Sequence, residues 1–357
     1  MGQLLSHPIE DKQLDYKIHN KLSYCVGAMQ GYRMTMEDAH DVKINEDESL
    51  AVFGVFDGHG GKQCSEYLAI HLPRLIFREL QKYKRKKASQ LENSDPAGGN
   101  RSSGSGGNGN VIRIIRDCFF QIDYELNQNL LHAINCGSTA IISIMLDDRI
   151  YVANTGDSRC ILSINGSAKT LSFDHKPSNM GERVRIENSN GYVLNSRINE
   201  ILALSRAFGD FKFKLPFIDS SRNKYINENK LKLSKKIVHL PPELFQVTVE
   251  PDILIYDIKN VYTPPPEFLV IACDGIWDCF KNNQLVKLIR DKLAFGWKLN
   301  RIVEYILNDC LTMANNYTGI GFDNMTLIIV AVHPQGGNMD DWYKMMIDKV
   351  LKEKNLM

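Results

Sequence analysis

Acidic residues sit where the apolar runs of this chain stop. LAVFGVF (Leu50 to Phe56) ends in Asp57, followed by Gly58-His59-Gly60-Gly61. FLVIAC (Phe268 to Cys273) ends in Asp274-Gly275, and Asp323-Asn324 directly precedes MTLIIVAV (Met325 to Val332). Glu37 and Asp38 are adjacent in GYRMTMEDAH, and VANTG leads into Asp157-Ser158-Arg159. A buried strand that ends in an acid puts a carboxylate at the rim of its sheet. If such strands are neighbours, the acids crowd negative charge into one place, which is unfavourable until protons or cations relieve it. The ligand atoms on offer are oxygens, without His or Cys clustering, so hard cations fit: Mg²⁺ or Mn²⁺. Taken singly, each acid is explained as well by a turn, since Asp and Asp-Gly commonly follow strands. Their recurrence at several strand ends points to a site. DGHGG lacks the Lys-Ser/Thr that would complete a phosphate loop.

The elements that must position these acids alternate between strand and helix. Ser49 to Phe56, Ala140 to Leu146, Arg149 to Gly156, Arg159 to Ile164, Phe268 to Cys273 and Met325 to Val332 read as strands. Two turn-forming aspartates between the second and third make a hairpin. Helical periodicity covers Ser65 to Tyr83, Val111 to His132, Gln284 to Leu293, Arg301 to Asn315 and an amphipathic tail, Asp340 to Lys354. The basic run Lys82 to Lys87 is expected at the solvated C-terminal end of the first helix, where cations suit the macrodipole. Ser89 to Asn110, almost all Ser, Gly, Asn and Pro, reads as a flexible surface insertion. Lys212 to Pro242 reads as a mobile loop.

Composition excludes several classes. The 357 residues carry 43 Lys+Arg against 42 Asp+Glu, a formal charge of +1, which argues against a globally basic nucleic-acid binder. Eight Cys without a C-x-x-C pair are too sparse for a disulfide scaffold; thiols such as Cys25, Cys118, Cys160 and Cys273 lie in apolar runs and read as reduced core residues. No stretch reaches the roughly 18 apolar residues of a membrane span, and no secretory signal opens the sequence. A cytoplasmic protein, with nuclear presence also allowed, is expected. His40, His71, His132, His175 and His333 read as structural or surface residues, and Trp277 and Trp297 as core aromatics.

In order along the chain, GYRMTMEDAH (Gly31 to His40), VFDGHGG (Val55 to Gly61), GSTA (Gly137 to Ala140), VANTGDSR (Val152 to Arg159), DHKP (Asp174 to Pro177), LALSRAFGD (Leu202 to Asp210), EPDI (Glu250 to Ile253), CDGIWD (Cys273 to Asp278) and DNMT (Asp323 to Thr326) resemble the blocks of the metal-dependent type 2C (PPM) protein serine/threonine phosphatases. The resemblance runs from about Ser23 to Val332. It implies an α+β fold, a four-layer αββα sandwich of two antiparallel β-sheets flanked by helix pairs. The phosphatase domain would span 23–333, with insertions at 89–110 and 212–242, between an N-terminal segment 1–22 and a C-terminal helical tail 334–357.

For the site, the resemblance implies two Mg or Mn ions at one rim, with a third held weakly. Asp57 would bridge two ions and the Gly58 carbonyl would hold one, with Glu37, Asp38, Asp274 and Asp323 completing the shell. Asp157 and Asp278 match the positions of the third ion, Arg33 the phosphate-binding arginine and His59 the general acid. The residue chemistry agrees: paired cations acidify a water, an arginine fork binds two phosphate oxygens, and an imidazole can protonate a serine or threonine leaving oxygen. Glu200 stands where the family has a glycine, and Ser189-Asn190 where it typically has small residues; these departures affect the substrate side and leave the metal positions intact. Implied substrates are phosphorylated proteins, signalling kinases among them, with the enzyme acting as a monomer. A non-catalytic phosphoprotein-binding scaffold and a two-metal phosphodiesterase are the competing readings. Met1-Gly2-Gln3-Leu4-Leu5-Ser6 fits N-myristoylation at Gly2. One acyl chain gives only marginal membrane binding, so Lys82 to Lys87 would have to lie on the same face as a second signal.

Overall fold

Runs such as LAVFGVF and FLVIA are apolar at every position, the pattern of strands covered on both faces. The structure, a computed structural model describing residues 4–92, 105–129, 135–219, 237–258 and 264–354, covers them in that way. The main strands are β1 (Leu4–Ile18), β2 (Leu22–Arg33), β3 (Ala39–Ile44), β4 (Leu50–Phe56), β5 (Ala140–Leu146), β6 (Arg149–Thr155), β7 (Arg159–Ile164), β8 (Ser167–Thr170), β9 (Asp252–Asp257), β10 (Phe268–Ala272) and β11 (Met325–Val332). One sheet has six strands in the order β1-β2-β11-β10-β7-β8; the other has five, β9-β6-β5-β4-β3. Both are antiparallel. The helices are α1 (Gln63–Glu92), α2 (Ser105–Asn129), α3 (Met180–Asn188), α4 (Asp274–Trp277), α5 (Asn282–Ala294), α6 (Leu299–Thr312) and α7 (Met339–Glu353).

The period of two sorts each strand between two cores. In β4, Ala51, Phe53 and Val55 enter the layer between the sheets, where they join Leu269 and Ile271 of β10 and Ile328 and Val330 of β11. Leu50, Val52 and Phe56 of the same strand face α1 and α2 through Leu68, Leu72, Ile76 and Phe119. On the far side, Val270, Leu327 and Ile329 meet α5, α6 and α7 through Ile289, Ile306 and Trp342. The result is the expected αββα sandwich. Each buried Leu, Ile or Phe contributes roughly 1.5–3 kcal/mol, so the three cores hold the rims rigidly in place.

Several expectations change. The segment 1–22 contributes the long edge strand β1, paired with β2 from Leu4↔Arg33 to Ile18↔Ser23. It was hidden because an edge strand can stay polar, and its residues are mostly exposed. The tail helix α7 is a core element, with Trp342 and Met346 buried. Lys82 to Lys87 lies inside α1, which continues to Glu92, so the helix-end argument fails. Lys84 instead donates to Ser49 Oγ and to Asp147 at 3.0 Å. That contact lies before β4, at the rim opposite Asp57, whereas Leu4 pairs with Arg33 beside the acids, so Lys84 and Leu4 lie at opposite rims. Ser89–Glu92 and Ser105–Asn110 belong to α1 and α2 rather than to a loop, because two packed helices propagate into the polar ends. Residues 93–104, His132 and Gly2 lie outside the described residues. The expected mobile loop at 212–242 is tied down at both described ends. Lys214 is buried against Asp123, and Phe217–Asp219 pairs with Ile237–His239; 220–236 lies outside the described residues. No helix among the described residues is long and apolar enough to cross a membrane.

Candidate metal centre and active site

Both sheets deliver acids to one rim. Asp57 follows β4, Asp157 follows β6, and Glu37 and Asp38 precede β3, all on the five-stranded sheet. From the six-stranded sheet come Asp274 after β10, Asp323 before β11 and Arg33 at the end of β2. The turn α4 sets Asp278 four residues after Asp274, on the same helical face, and its amide donates to the Asp274 carbonyl at 2.8 Å. Asp38, Asp57 and Cys273 present ligand atoms within 4.8 Å of one another.

The electrostatics show that the acids share one neighbourhood. Burial, then the charges of Asp274, Asp38, Asp323 and Asp157, push the Asp57 carboxyl well above its ordinary range. Burial, then Asp157, Asp323 and Asp278, do the same to Asp274. Burial pushes Asp38 up to about 7, against hydrogen bonds from Thr326 and Cys273. Burial also raises Asp278. Carboxyls held so far from their usual state have too little positive charge beside them, and an all-oxygen set at one point suits hard divalent cations. The residues therefore fit the implied metal site. Lys176, from the DHKP segment, pairs with Asp157 and supplies one positive charge among them.

Gly58 must be a glycine, because a Cβ there would lie 2.4 Å from the Glu37 carbonyl oxygen. That close approach joins the Asp57 turn to the Glu37-Asp38 loop. Glu37 Oε2 also accepts from the Gly61 amide at 3.1 Å, and Ser65 Oγ donates to the Glu37 carbonyl. Arg33 Nη2 donates to Asp323 Oδ2 at 2.5 Å, while its buried Nε has no protein partner. The guanidinium is thus held at one end and has an N–H left for a ligand oxygen. His59 Nε2 donates to Asp210 Oδ2 at 2.7 Å. Burial works against a charge on the imidazole, but the hydrogen bond and charge of Asp210 outweigh it and raise the pKa.

Four neighbours were not singled out for the site by the sequence. Asn324 laces the rim: Oδ1 accepts from the Glu37 amide at 2.8 Å, and Nδ2 donates to the Gln30 and Thr35 carbonyls. Lys176 and Asp210 stand inside motifs quoted above, yet their partners come from elsewhere in the chain. Cys273 was read as a core thiol. It lies beside the acids, but burial holds the thiol well above its usual pKa and Sγ contacts the Thr326 amide at 3.2 Å, so it stays a protonated, structural group. The remaining histidines behave as expected where described. His175 accepts from the Gly156 amide through Nδ1 and reaches Asp252 at 3.1 Å, and His333 bonds Ser23 and Asn20.

A separate insertion lies between β8 and β9. Its small core comprises Ile186, Ile198, Ala207, Phe213 and Val247, pinned by Glu182 between Arg185 and Arg206. Glu200, at the position where the resemblance implied a glycine, adopts φ 64 and Asn190 also φ 64. Both have the left-handed backbone that a glycine would supply without strain.

Comparison with known proteins agrees with this geometry. A family model described as Protein phosphatase 2C matches residues 22–318. Over 406 aligned residues the chain is 37% identical to protein phosphatase 2C homolog 4 of Saccharomyces cerevisiae, covering 100% of each. It is 36% identical to protein phosphatase 2C homolog 2 of Schizosaccharomyces pombe, covering 98% of this chain and 83% of the relative. Among solved structures, a phosphatase from a pathogenic strain of Toxoplasma gondii matches with TM-score 0.66 at 21% identity, over 92% of this chain and 97% of that one. A serine-threonine phosphatase 2C from Toxoplasma gondii matches with TM-score 0.63 at 17% identity, over 90% and 99%.

Proposed function

The chain belongs to the protein phosphatase 2C family and is a protein phosphatase, and from that premise we propose that it hydrolyses phosphoserine and phosphothreonine on proteins with Mg²⁺ or Mn²⁺. The observation that carries the reading is the shared rim of Asp38, Asp57 and Asp274, whose carboxyls are pushed up by burial and by neighbouring carboxylates, Asp323 in every case. Glu37, Asp38, Asp57, Asp274, Asp323 and the Gly58 carbonyl would hold two ions, and Asp157 and Asp278 a third in competition with Lys176. When bound, such ions supply an acidified water as nucleophile and positive charge for the phosphoryl oxygens. Arg33, fixed by Asp323, orients the phosphoryl group through its remaining N–H groups. His59 gives a proton to the serine or threonine oxygen as the P–O bond breaks, leaving inorganic phosphate and the free hydroxyl. The exposed apolar side chains of the insertion, Met180, Tyr192, Leu194 and Ile201, would meet the protein part of a substrate. Acylation of Gly2, if it occurs, would tether the protein from this same rim, because Leu4 pairs with Arg33; one chain would give only reversible membrane contact.

A phosphothreonine peptide assayed with Mn²⁺, with and without a chelator, tests the reading. Phosphate release that needs the cation and disappears in Asp57→Asn supports it. A folded protein that binds the peptide without releasing phosphate would leave the scaffold reading in its place.

A further inference from the structure

Resting on the hydrolysis proposed above, we infer that Asp210 is a positioning residue that fixes His59 for proton delivery to the leaving oxygen. The two meet through a small three-stranded ribbon. Gly58–His59 pairs with Gly137–Ser138, which pairs with Phe208–Gly209. His59 and Gly209 are both in register with Gly137, so the residue after the third strand, Asp210, arrives at the imidazole. His59 Nε2 donates to its Oδ2 at 2.7 Å. A Cβ on residue 137 would lie 2.4 Å from Asp210 Oδ2 and 2.5 Å from His59 Nε2. The missing side chain of Gly137 is what admits the contact.

Asp210 is itself held from several sides. It is 2% exposed, its backbone is left-handed at φ 50, and its amide donates to the Cys136 carbonyl at 3.1 Å. Beneath it, the Gly209 amide donates to Asp123 Oδ1 at 2.9 Å. Lys214 Nζ clamps both Asp123 oxygens at 2.7 and 2.8 Å and donates to the Ala207 carbonyl. A buried ion pair therefore fixes residues 207–209 from behind, and the carboxylate in front points at a partly exposed imidazole on the edge of the acid rim. With one proton of the imidazolium committed to Asp210 through Nε2, the proton on Nδ1 is the one left to give. As the P–O bond breaks, its electron pair stays on the serine or threonine oxygen. That oxygen takes the Nδ1 proton, and the neutral ring is reprotonated by solvent.

Asp210→Asn tests this. Asn tolerates the left-handed backbone and keeps the volume, but an amide is a poorer and ambiguous partner for the ring, so orientation and tautomer are no longer fixed. The Mn²⁺-loaded full chain is assayed on a phosphothreonine peptide, whose alkoxide needs a proton, and on p-nitrophenyl phosphate, whose phenolate does not. The expected result is a fall of about 10²-fold in kcat on the peptide, with KM and p-nitrophenyl phosphate turnover each within about threefold. Retained turnover of the second substrate also reports an intact fold and metal site. In the Mg²⁺-bound chain labelled with ¹⁵N-histidine, at a pH where the ring is neutral, NMR should find the single His59 proton on Nε2, and a tautomer mixture in the variant. His59→Asn serves as the reference. If it separates the two substrates and Asp210→Asn does not, the role of Asp210 is overturned and the hydrolysis reading stands. If His59→Asn slows both substrates alike, the proton-donor role itself is wrong and this inference falls with it.

Discussion

Replacing Asp38 by Asn should stabilise the cation-free protein, and the gain should grow with pH. Asp38 is buried and its Oδ2 accepts from Thr326 Oγ1 at 2.8 Å, a bond that an amide oxygen preserves. Burial raises its carboxyl from 3.8 to about 7 in the fold. Between those values the unfolded chain gives up a proton that the folded chain keeps, so rising pH favours unfolding. The penalty starts near pH 4 and is complete above about 7. Each pH unit in that window is worth about 1.4 kcal/mol, so the penalty is on the order of 1–2 kcal/mol at pH 5 and about 4 kcal/mol at pH 8. An Asn never ionises and escapes it. Thermal unfolding in chelator should therefore show Asp38→Asn ahead of the wild type by a margin that widens from pH 5 to pH 8 by roughly 3 kcal/mol, or about 3–6 °C. Saturating Mg²⁺ should shrink or reverse the margin, because a cation at the rim favours the charged carboxylate of the wild type and meets a weaker ligand in the variant. A margin that does not change with pH, or a variant less stable than the wild type at pH 8, would refute the electrostatic account of the rim.

Two stability predictions address the scaffold around the site. Lys214→Met strands Asp123, whose partner Lys214 is 4% exposed, and should cost about 3 kcal/mol in urea unfolding; Asp123→Asn in the same chain should recover part of the loss, and a single-variant cost near zero would deny the clamp. Glu200→Gly relieves a left-handed residue at φ 64 and should raise stability by about 1 kcal/mol, read as a higher melting temperature, with no gain arguing that the Glu side chain compensates locally.

The parts of the fold that could be read from the sequence are those whose burial is two-sided. LAVFGVF, AIISIML and MTLIIVAV are apolar at nearly every position because each lies between a helix layer and the opposite sheet, and their bounds follow to within a residue. β1 could not be read this way, since LLSHPIEDKQLDYKI takes its register from β2 and buries little. The site acids were legible for the same reason as the strands they terminate. Their partners were not. Asn324 is useful because it reaches Gln30, Thr35 and Glu37, and Asp210 because a two-residue strand carries it to His59. Such meetings depend on chain crossings that leave no periodicity in either segment.

The division of the acids between the sheets has a physical consequence. Asp38 and Asp57 hang from the five-stranded sheet, whereas Asp274 and Asp323 hang from the six-stranded one. Repulsion among them therefore acts across the inner core, pushing the sheets apart at this rim while Phe53, Ile271 and Ile328 hold them together behind it. A shared cation would convert that repulsion into attraction between the same two layers. The metal-free protein should thus be loosest where the two sheets offer carboxyls to each other, and the opposite rim, where Lys84 meets Asp147, should be indifferent to cations. Hydrogen exchange with and without Mg²⁺ reads that contrast directly. Protection gained at the amides around Asp57 and Asp274 but not around Ser49 and Asp147 is the expected pattern, and uniform protection would mean that the cation stabilises the fold as a whole rather than by closing one rim.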